Sequence, residues 1–180
     1  MNENKFFNNV PDSLEQNLAM IDDLGGPNTF NHYAWGWTFA GNTPFRRWKR
    51  ETYRGGISDP FVVHWPKGIK AKGEIRGQYH HSVDIVPTIL DVVGVEMPKV
   101  YRGVEQFPLS GVSMRYTFDA APKAPTQKKR QFYAMLGTRG IWEKGWLASA
   151  VHAPLTGNGH FDQDQWQLYY VDGDRSESKD

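Results

Sequence analysis

The stretch "RRWKRETYRGGISDPFVVHWP", Arg46 to Pro66, sets Arg46, Arg47, Lys49 and Arg50 within five positions and follows them with the pair Gly55-Gly56. Such a cluster can grip an anion. When an ester of an oxyacid breaks, charge builds on its non-bridging and leaving oxygens, and a compact ammonium placed there stabilises it, more so where water is excluded. Paired glycine lets the backbone turn sharply and approach closely. The same residues also make an ordinary solvated basic turn, and residue chemistry alone favours that simpler reading.

A second group is aromatic. In "NTFNHYAWGWTFAGNTPF", residues 28–45, His32, Tyr33, Trp35 and Trp37 offer flat walls that suit an aromatic leaving group. A packed surface loop is the equal alternative, and the segment shows no clean period. His64 alternates with Val62 and Val63 and reads as a structural histidine. His80-His81 are adjacent, do not converge as a metal pair and have no obvious third ligand, so they read as helix-entry residues. Asp22-Asp23 in "AMIDDLGG" sit at neighbouring helical positions whose side chains diverge. They read as a solvated helix end rather than as carboxylates converging on a hard cation.

A nucleic-acid clamp built from the 46–50 cluster with Trp48 and Tyr53 would call for a basic surplus. The chain of 180 residues carries 21 basic and 20 acidic side chains, a net charge of +1. That balance argues against a nucleic-acid or membrane-surface partner. No apolar run is long enough to span a bilayer, and "MNENKFFNNV" lacks a basic-then-apolar signal pattern. Cysteine is absent, which removes disulfides, thiolate metal sites and a cysteine nucleophile. Seven Trp, eight Tyr and ten Phe are far too many for a disordered chain.

The elements that must position these residues are legible in outline. "PDSLEQNLAMIDDLGG" predicts a helix capped by Asp12 or Ser13, with Leu14, Leu18, Ile21 and Leu24 on its apolar face and Gly25-Gly26-Pro27 as its stop. "PFVVHWP" predicts a short strand buried on both faces. "HHSVDIVPTILDVVGVEMP" predicts a helix over 82–94, capped by Ser82 or Asp84, with Pro87 in its first turn and Gly94 at its end. Residues 119–130, "DAAPKAPTQKKR", read as a linker. Beyond it, "QFYAMLG", "RGIWEK", "WLASAV" and "QWQLYYV" predict a small antiparallel sheet joined by Gly-containing turns, with Trp and Tyr in its core and packed on the 82–94 helix. The expected organisation is an α/β part over 1–118, the linker 119–130, and an antiparallel subdomain over 131–180.

Four ordered blocks carry a resemblance. "KRETYRGGISDPFVVHWP" resembles the sulfatase segment K-x-x-T-[YF]-x-G-G-x-x-x-P-[FL] with its apolar strand and Trp-Pro. "HHSVDIVPTILDVVGVEMP" is similar to the same family's Val-Asp-[IL]-x-P-T block. "GTRGIWEKGWLASAV" and "QWQLYYVDGD" look like its C-terminal strands. These matches cover most of residues 42–172, and the aromatic stretch looks closest to the bacterial arylsulfatase branch. The resemblance implies a partial alkaline-phosphatase-like α/β fold, hydrolysis of sulfate esters, and a sulfate-binding lysine at Lys49. It transfers no role to the neighbouring arginines, which read as surface or ion-pair residues.

The resemblance also implies a formylglycine nucleophile made within C/S-x-P-x-R and a Ca²⁺ ion in a full-length relative. The chain has neither that motif nor Asp-Asn-Gly. It therefore reads as the C-terminal portion of an arylsulfatase, inactive alone and meeting a sulfate-ester substrate only in the full-length context. A non-enzymatic remnant or anion-binding module, or a fragment of a related phosphate-ester hydrolase, stays open beside that reading. An apolar strand without its neighbours predicts marginal stability and self-association of the isolated chain.

Overall fold

The computed structural model describes residue 5 and residues 8–11, 13–29, 33–152 and 159–180. His32 and Asp12 lie outside the described residues.

The C-terminal sheet is the organising element. Strands β3 (Arg130–Met135), β4 (Thr138–Glu143), β5 (Trp146–Ala150) and β6 (Trp166–Tyr170) form a four-stranded antiparallel meander in that order. The first two turns are Leu136-Gly137 and Lys144-Gly145, each with both residues at positive φ, the geometry that matches the strand twist in a two-residue hairpin. Register places Tyr133 opposite Gly140, Gly140 opposite Ser149, Trp142 opposite Leu147, and Leu147 opposite Tyr169. That face is buried, and Tyr53, Trp142, Leu147, Tyr169 and Val171 make up the core cluster. The other face carries Phe132, Ile141, Ala148 and Leu168 in one row across all four strands, and Phe132 and Leu168 are exposed. Trp146, Trp166 and Tyr170 are exposed as well, so the expected aromatic core is only half right: a period of two sends alternate rings to opposite faces.

Helix α1 (Leu14–Ala19) is capped by Ser13, whose hydroxyl accepts from the Gln16 N–H at 3.2 Å. A 3-10 turn over Ile21–Asp23 follows. The predicted apolar residues Leu14, Leu18, Ile21 and Leu24 are all exposed, so the pattern is present without a partner. Residues expected to be irregular instead contain helix α2 (Trp35–Asn42). Its aromatic and glycine content concealed an eight-residue helix that lacks both a side-chain cap and a buried residue.

"PFVVHWP" does not form a strand. Phe61, Val62 and Val63 join no ladder, Val62 is 89% exposed, and His64 is exposed rather than enclosed. A strand exists only where a neighbour supplies hydrogen bonds, and none of the described residues does so here.

Helix α4 (Ile85–Val93) follows a 3-10 turn at Ser82–Asp84 and ends at Gly94 in the left-handed conformation. Asp84 is the N-cap of the helix, as one of the two expected caps, with no side-chain cap bond at that position. His81 caps the 3-10 turn before it, its Nδ1 accepting from the Val83 N–H at 3.2 Å, while Asp84 Oδ2 accepts from the His81 N–H at 2.9 Å. Val86, Ile89 and Val93 are exposed, and the helix buries Thr88. The residues entering the helix, rather than its body, reach the sheet: Tyr79 stacks on Trp142 at 3.6 Å, and His81 packs edge-on to Tyr133. A small hairpin of β1 (Val100–Tyr101) and β2 (Val104–Glu105) turns on Arg102-Gly103, both at positive φ. Among the described residues no helix is long and apolar enough to cross a membrane.

Candidate functional site

The segment Arg46–Ile57 lies against the buried face of the sheet, and its sequence explains why. Thr52 and Tyr53 are buried anchors. The Thr52 hydroxyl meets Ser149 Oγ at 2.6 Å and donates to the Arg139 carbonyl at 3.3 Å. Tyr53 donates to Gln167 and tilts against Tyr169. Arg54 Nη1 donates to the Val171 carbonyl at 3.2 Å. These contacts pin the C-terminal half of the motif to β5, β6 and the residue after β6.

The pinned half then holds the turn before it. Gly55, in the short helix α3 (Arg54–Ile57), donates its N–H to the Arg46 carbonyl at 2.9 Å. A Cβ there would lie 2.1 Å from the Arg47 carbonyl oxygen and 2.3 Å from that of Arg46. On Gly56 it would lie 2.1 Å from the Glu51 carbonyl oxygen. Asn42 ties both strands of this loop, its Nδ2 donating to the carbonyls of Arg47 at 2.6 Å and Gly55 at 2.9 Å. The glycine pair is thus required by close backbone approach.

Lys49 sits at the crest of that turn, exposed, between Arg47 at φ 64° and Arg50 at φ 85°. Non-glycine residues in this region carry strain that the surrounding structure must over-determine. Asn42, Gly55 and Gly56 supply that restraint. Arg46 departs from the expected surface role. Its guanidinium lies 4.6 Å from the Tyr53 ring centroid and donates to Tyr169 OH at 2.9 Å, so it is a half-buried structural cation.

Helix α2 brings aromatic rings to the same turn. Trp35 and Phe39, four residues apart on one face, meet Trp48 at 5.4 and 6.5 Å between centroids. Trp37 lies two positions from Trp35, on the other side of the helix, and is exposed. Tyr33 is exposed just before the helix, its carbonyl accepting from the Thr38 hydroxyl. Of the described members of the predicted aromatic group, Trp35 alone is placed against the Lys49 segment. Phe39 and Trp48 were overlooked as its companions; the i, i+4 spacing of Trp35 and Phe39 was the available signal, hidden once the segment was read as irregular.

The Val-Asp-x-x-Pro-Thr block proves to be a structural hub. Asp84 is fully buried and accepts from Lys128 Nζ at 2.7 Å, His80 Nδ1 at 2.9 Å and the Val112 N–H at 2.8 Å. Burial alone would raise its pKa; these donors, Lys128 foremost, hold it below the usual carboxylate value. Thr88 Oγ1 donates to the Asp84 carbonyl and accepts from the Met114 N–H. Lys128 therefore makes part of the predicted linker a buried anchor. His80 and His81 are helix-entry residues, as expected. Asp22 and Asp23 are exposed in the 3-10 turn.

Beside the anchored segment lies an open groove of about 670 Å³, lined by Phe39, Pro44, Phe45, Arg46, Tyr169 and Glu177 among others. Lys49 does not line it. Glu177 is 1% exposed, and its desolvation pushes the carboxyl up to about 7 despite nearby Arg54 and Arg46. Nothing in the polar tail "DGDRSESKD" marks this glutamate out from its neighbours.

A family model described as N-sulphoglucosamine sulphohydrolase, C-terminal, matches residues 46–120, from the first residue of the basic cluster through the Asp84 hub. That match supports reading the chain as similar to the C-terminal part of a sulfatase. The chain is 26% identical over 110 residues to the arylsulfatase of Klebsiella aerogenes, covering 61% of this chain and 24% of that protein. An uncharacterized sulfatase of Schizosaccharomyces pombe is 27% identical over 160 residues, covering 87% of this chain and 27% of its own length. Human arylsulfatase A is 28% identical over 128 residues, 69% of this chain and 24% of that protein. The chain thus spans about a quarter of the length of these three sulfatases. Its mixed helices and small antiparallel sheets fit a partial α/β sulfatase C-terminal domain.

Proposed function

We propose that this chain supplies the sulfate-gripping edge of a sulfuric-ester hydrolase that acts on aryl sulfates. One observation carries the reading: Lys49 is an exposed cation, beside exposed Arg50, at the crest of a turn fixed from below by Asn42, Gly55 and Gly56. Its ammonium is free to meet a sulfate group, while the backbone that aims it is pinned to the sheet. Held there, it opposes the charge that grows on the sulfate oxygens as the ester bond breaks. The rings of Trp35, Phe39 and Trp48 form the aromatic wall beside it, suited to a planar leaving group.

Among the described residues no group of three or more His, Asp and Glu side chains could hold a metal ion. The described residues therefore do not fit the family's Ca²⁺ site. In this proposal the metal and the formylglycine come from outside these 180 residues. A positioned cation does not replace a nucleophile, so the chain alone has no turnover. Its uncovered apolar surfaces, the Phe132–Leu168 row and Val62 among them, make the isolated chain self-associate. A sharp monomeric peak across a concentration series in size-exclusion chromatography would overturn that last point.

The function is tested by sequencing the DNA immediately upstream of Met1. We expect the reading frame to continue into Asp-Asn-Gly and, further up, C/S-x-P-x-R. A stop codon followed by a true start, with neither motif nearby, would overturn the hydrolase reading.

A further inference from the structure

We propose that Glu177, in the C-terminal tail, is the positioning residue for the Lys49 turn. The inference rests on the reading of Lys49 above. Both carboxylate oxygens of Glu177 accept from the Arg54 N–H, at 3.2 and 3.0 Å, and its carbonyl accepts from Arg46 Nη1 at 3.3 Å. One buried residue therefore holds both ends of the loop on which Lys49 sits: Arg46 before the crest and Arg54 after it. Tyr169 completes the arrangement by accepting from the same Arg46 nitrogen.

The tail is shaped to deliver this side chain. Asp174 accepts from the N–H groups of Ser176, Ser178 and Lys179 at 3.0, 2.7 and 3.0 Å, closing a tight turn. Glu177 lies inside that turn at φ 52°, a left-handed conformation unusual for glutamate. Asp180 fastens the far end, its Oδ1 accepting from the Leu168 N–H at 2.7 Å. A strained backbone that buries an acid under two arginines costs stability. That cost is intelligible if the acid sets the position of the loop it grips.

Hydrogen exchange tests this on the full 180-residue chain. We expect Glu177→Ala to raise exchange at least tenfold at the Glu51, Gly55 and Gly56 amides while β4 and β5 stay protected. Glu177→Gln, whose amide oxygen still accepts from Arg54, restores the protection. Glu177→Asp, a carboxylate one methylene short, gives an intermediate rate and serves if the alanine variant does not fold. Unchanged exchange in the 46–56 loop of the Ala or Asp variant would overturn the clamp. So would a Gln variant as unprotected as the Ala variant. If the exchange results hold while Lys49→Ala leaves sulfate-ester turnover of the complete protein intact, the clamp stands and the sulfate reading falls.

Discussion

Thr52 and Ser149 share a 2.6 Å hydrogen bond in a buried seam, joining the residue three positions after Lys49 to the middle of β5. Because Thr52 Oγ1 also donates to the Arg139 carbonyl, Ser149 is the donor of the short bond. Thr52→Val leaves that serine hydroxyl without its partner, which costs about 1–3 kcal/mol. Ser149→Ala alone strands less, since Thr52 keeps Arg139. We expect the double variant to be less destabilised than the sum of the singles, because the pair is coupled. Urea unfolding of the four proteins measures it; strict additivity would show that the seam does not depend on this bond.

The glycine pair gives a sharper contrast. Ala at Gly55 or Gly56 places a methyl about 2.1 Å from a backbone oxygen, and the backbone must shift at a cost of about 1–3 kcal/mol. Gly36, in α2, has nothing within 4 Å of the same position. Ala there should stabilise by about 0.5–1 kcal/mol, as it does inside a helix generally. Thermal midpoints of the three variants should fall on opposite sides of wild type. A harmless Gly55→Ala would mean that the loop is not packed as described.

These positions show what was legible in the sequence and what was not. The hairpin turns, the 82–94 helix with its Gly94 stop, and the four C-terminal strands are local signals, and each appears where periodicity placed it. "PFVVHWP" failed because a buried strand is a statement about neighbours, and the described residues hold none for it. Helix α2 was missed because its residues have weak helix propensity and its aromatic pattern does not repeat. At the candidate site, Lys49 and the glycine pair were visible through the motif. Asp84–Lys128 and Arg46–Glu177 join residues far apart in the chain, and no spacing rule links them.

Glu177 also makes a pH prediction. Burial raises its folded-state pKa to about 7 from an ordinary 4.5. For a raised acid, the stabilising contribution is fully present below the ordinary value and is lost as pH rises through about 7. Glu177→Gln is neutral throughout, so its advantage over wild type should be largest near pH 8 and vanish near pH 4.5. Thermal midpoints of both proteins across that range check the sign. A difference that grows as pH falls would contradict it.

The central claim is that Lys49 holds the sulfate group. It is tested most directly by 4-nitrophenyl sulfate turnover in the complete protein encoded by the full reading frame, comparing wild type with Lys49→Ala and Arg50→Ala. Loss of the Lys49 ammonium is expected to lower kcat by about 100-fold or more. The Arg50 variant should stay near wild type, and all three proteins should share one thermal midpoint. A Lys49→Ala protein that turns over substrate like wild type would show that Lys49 does not hold the sulfate group.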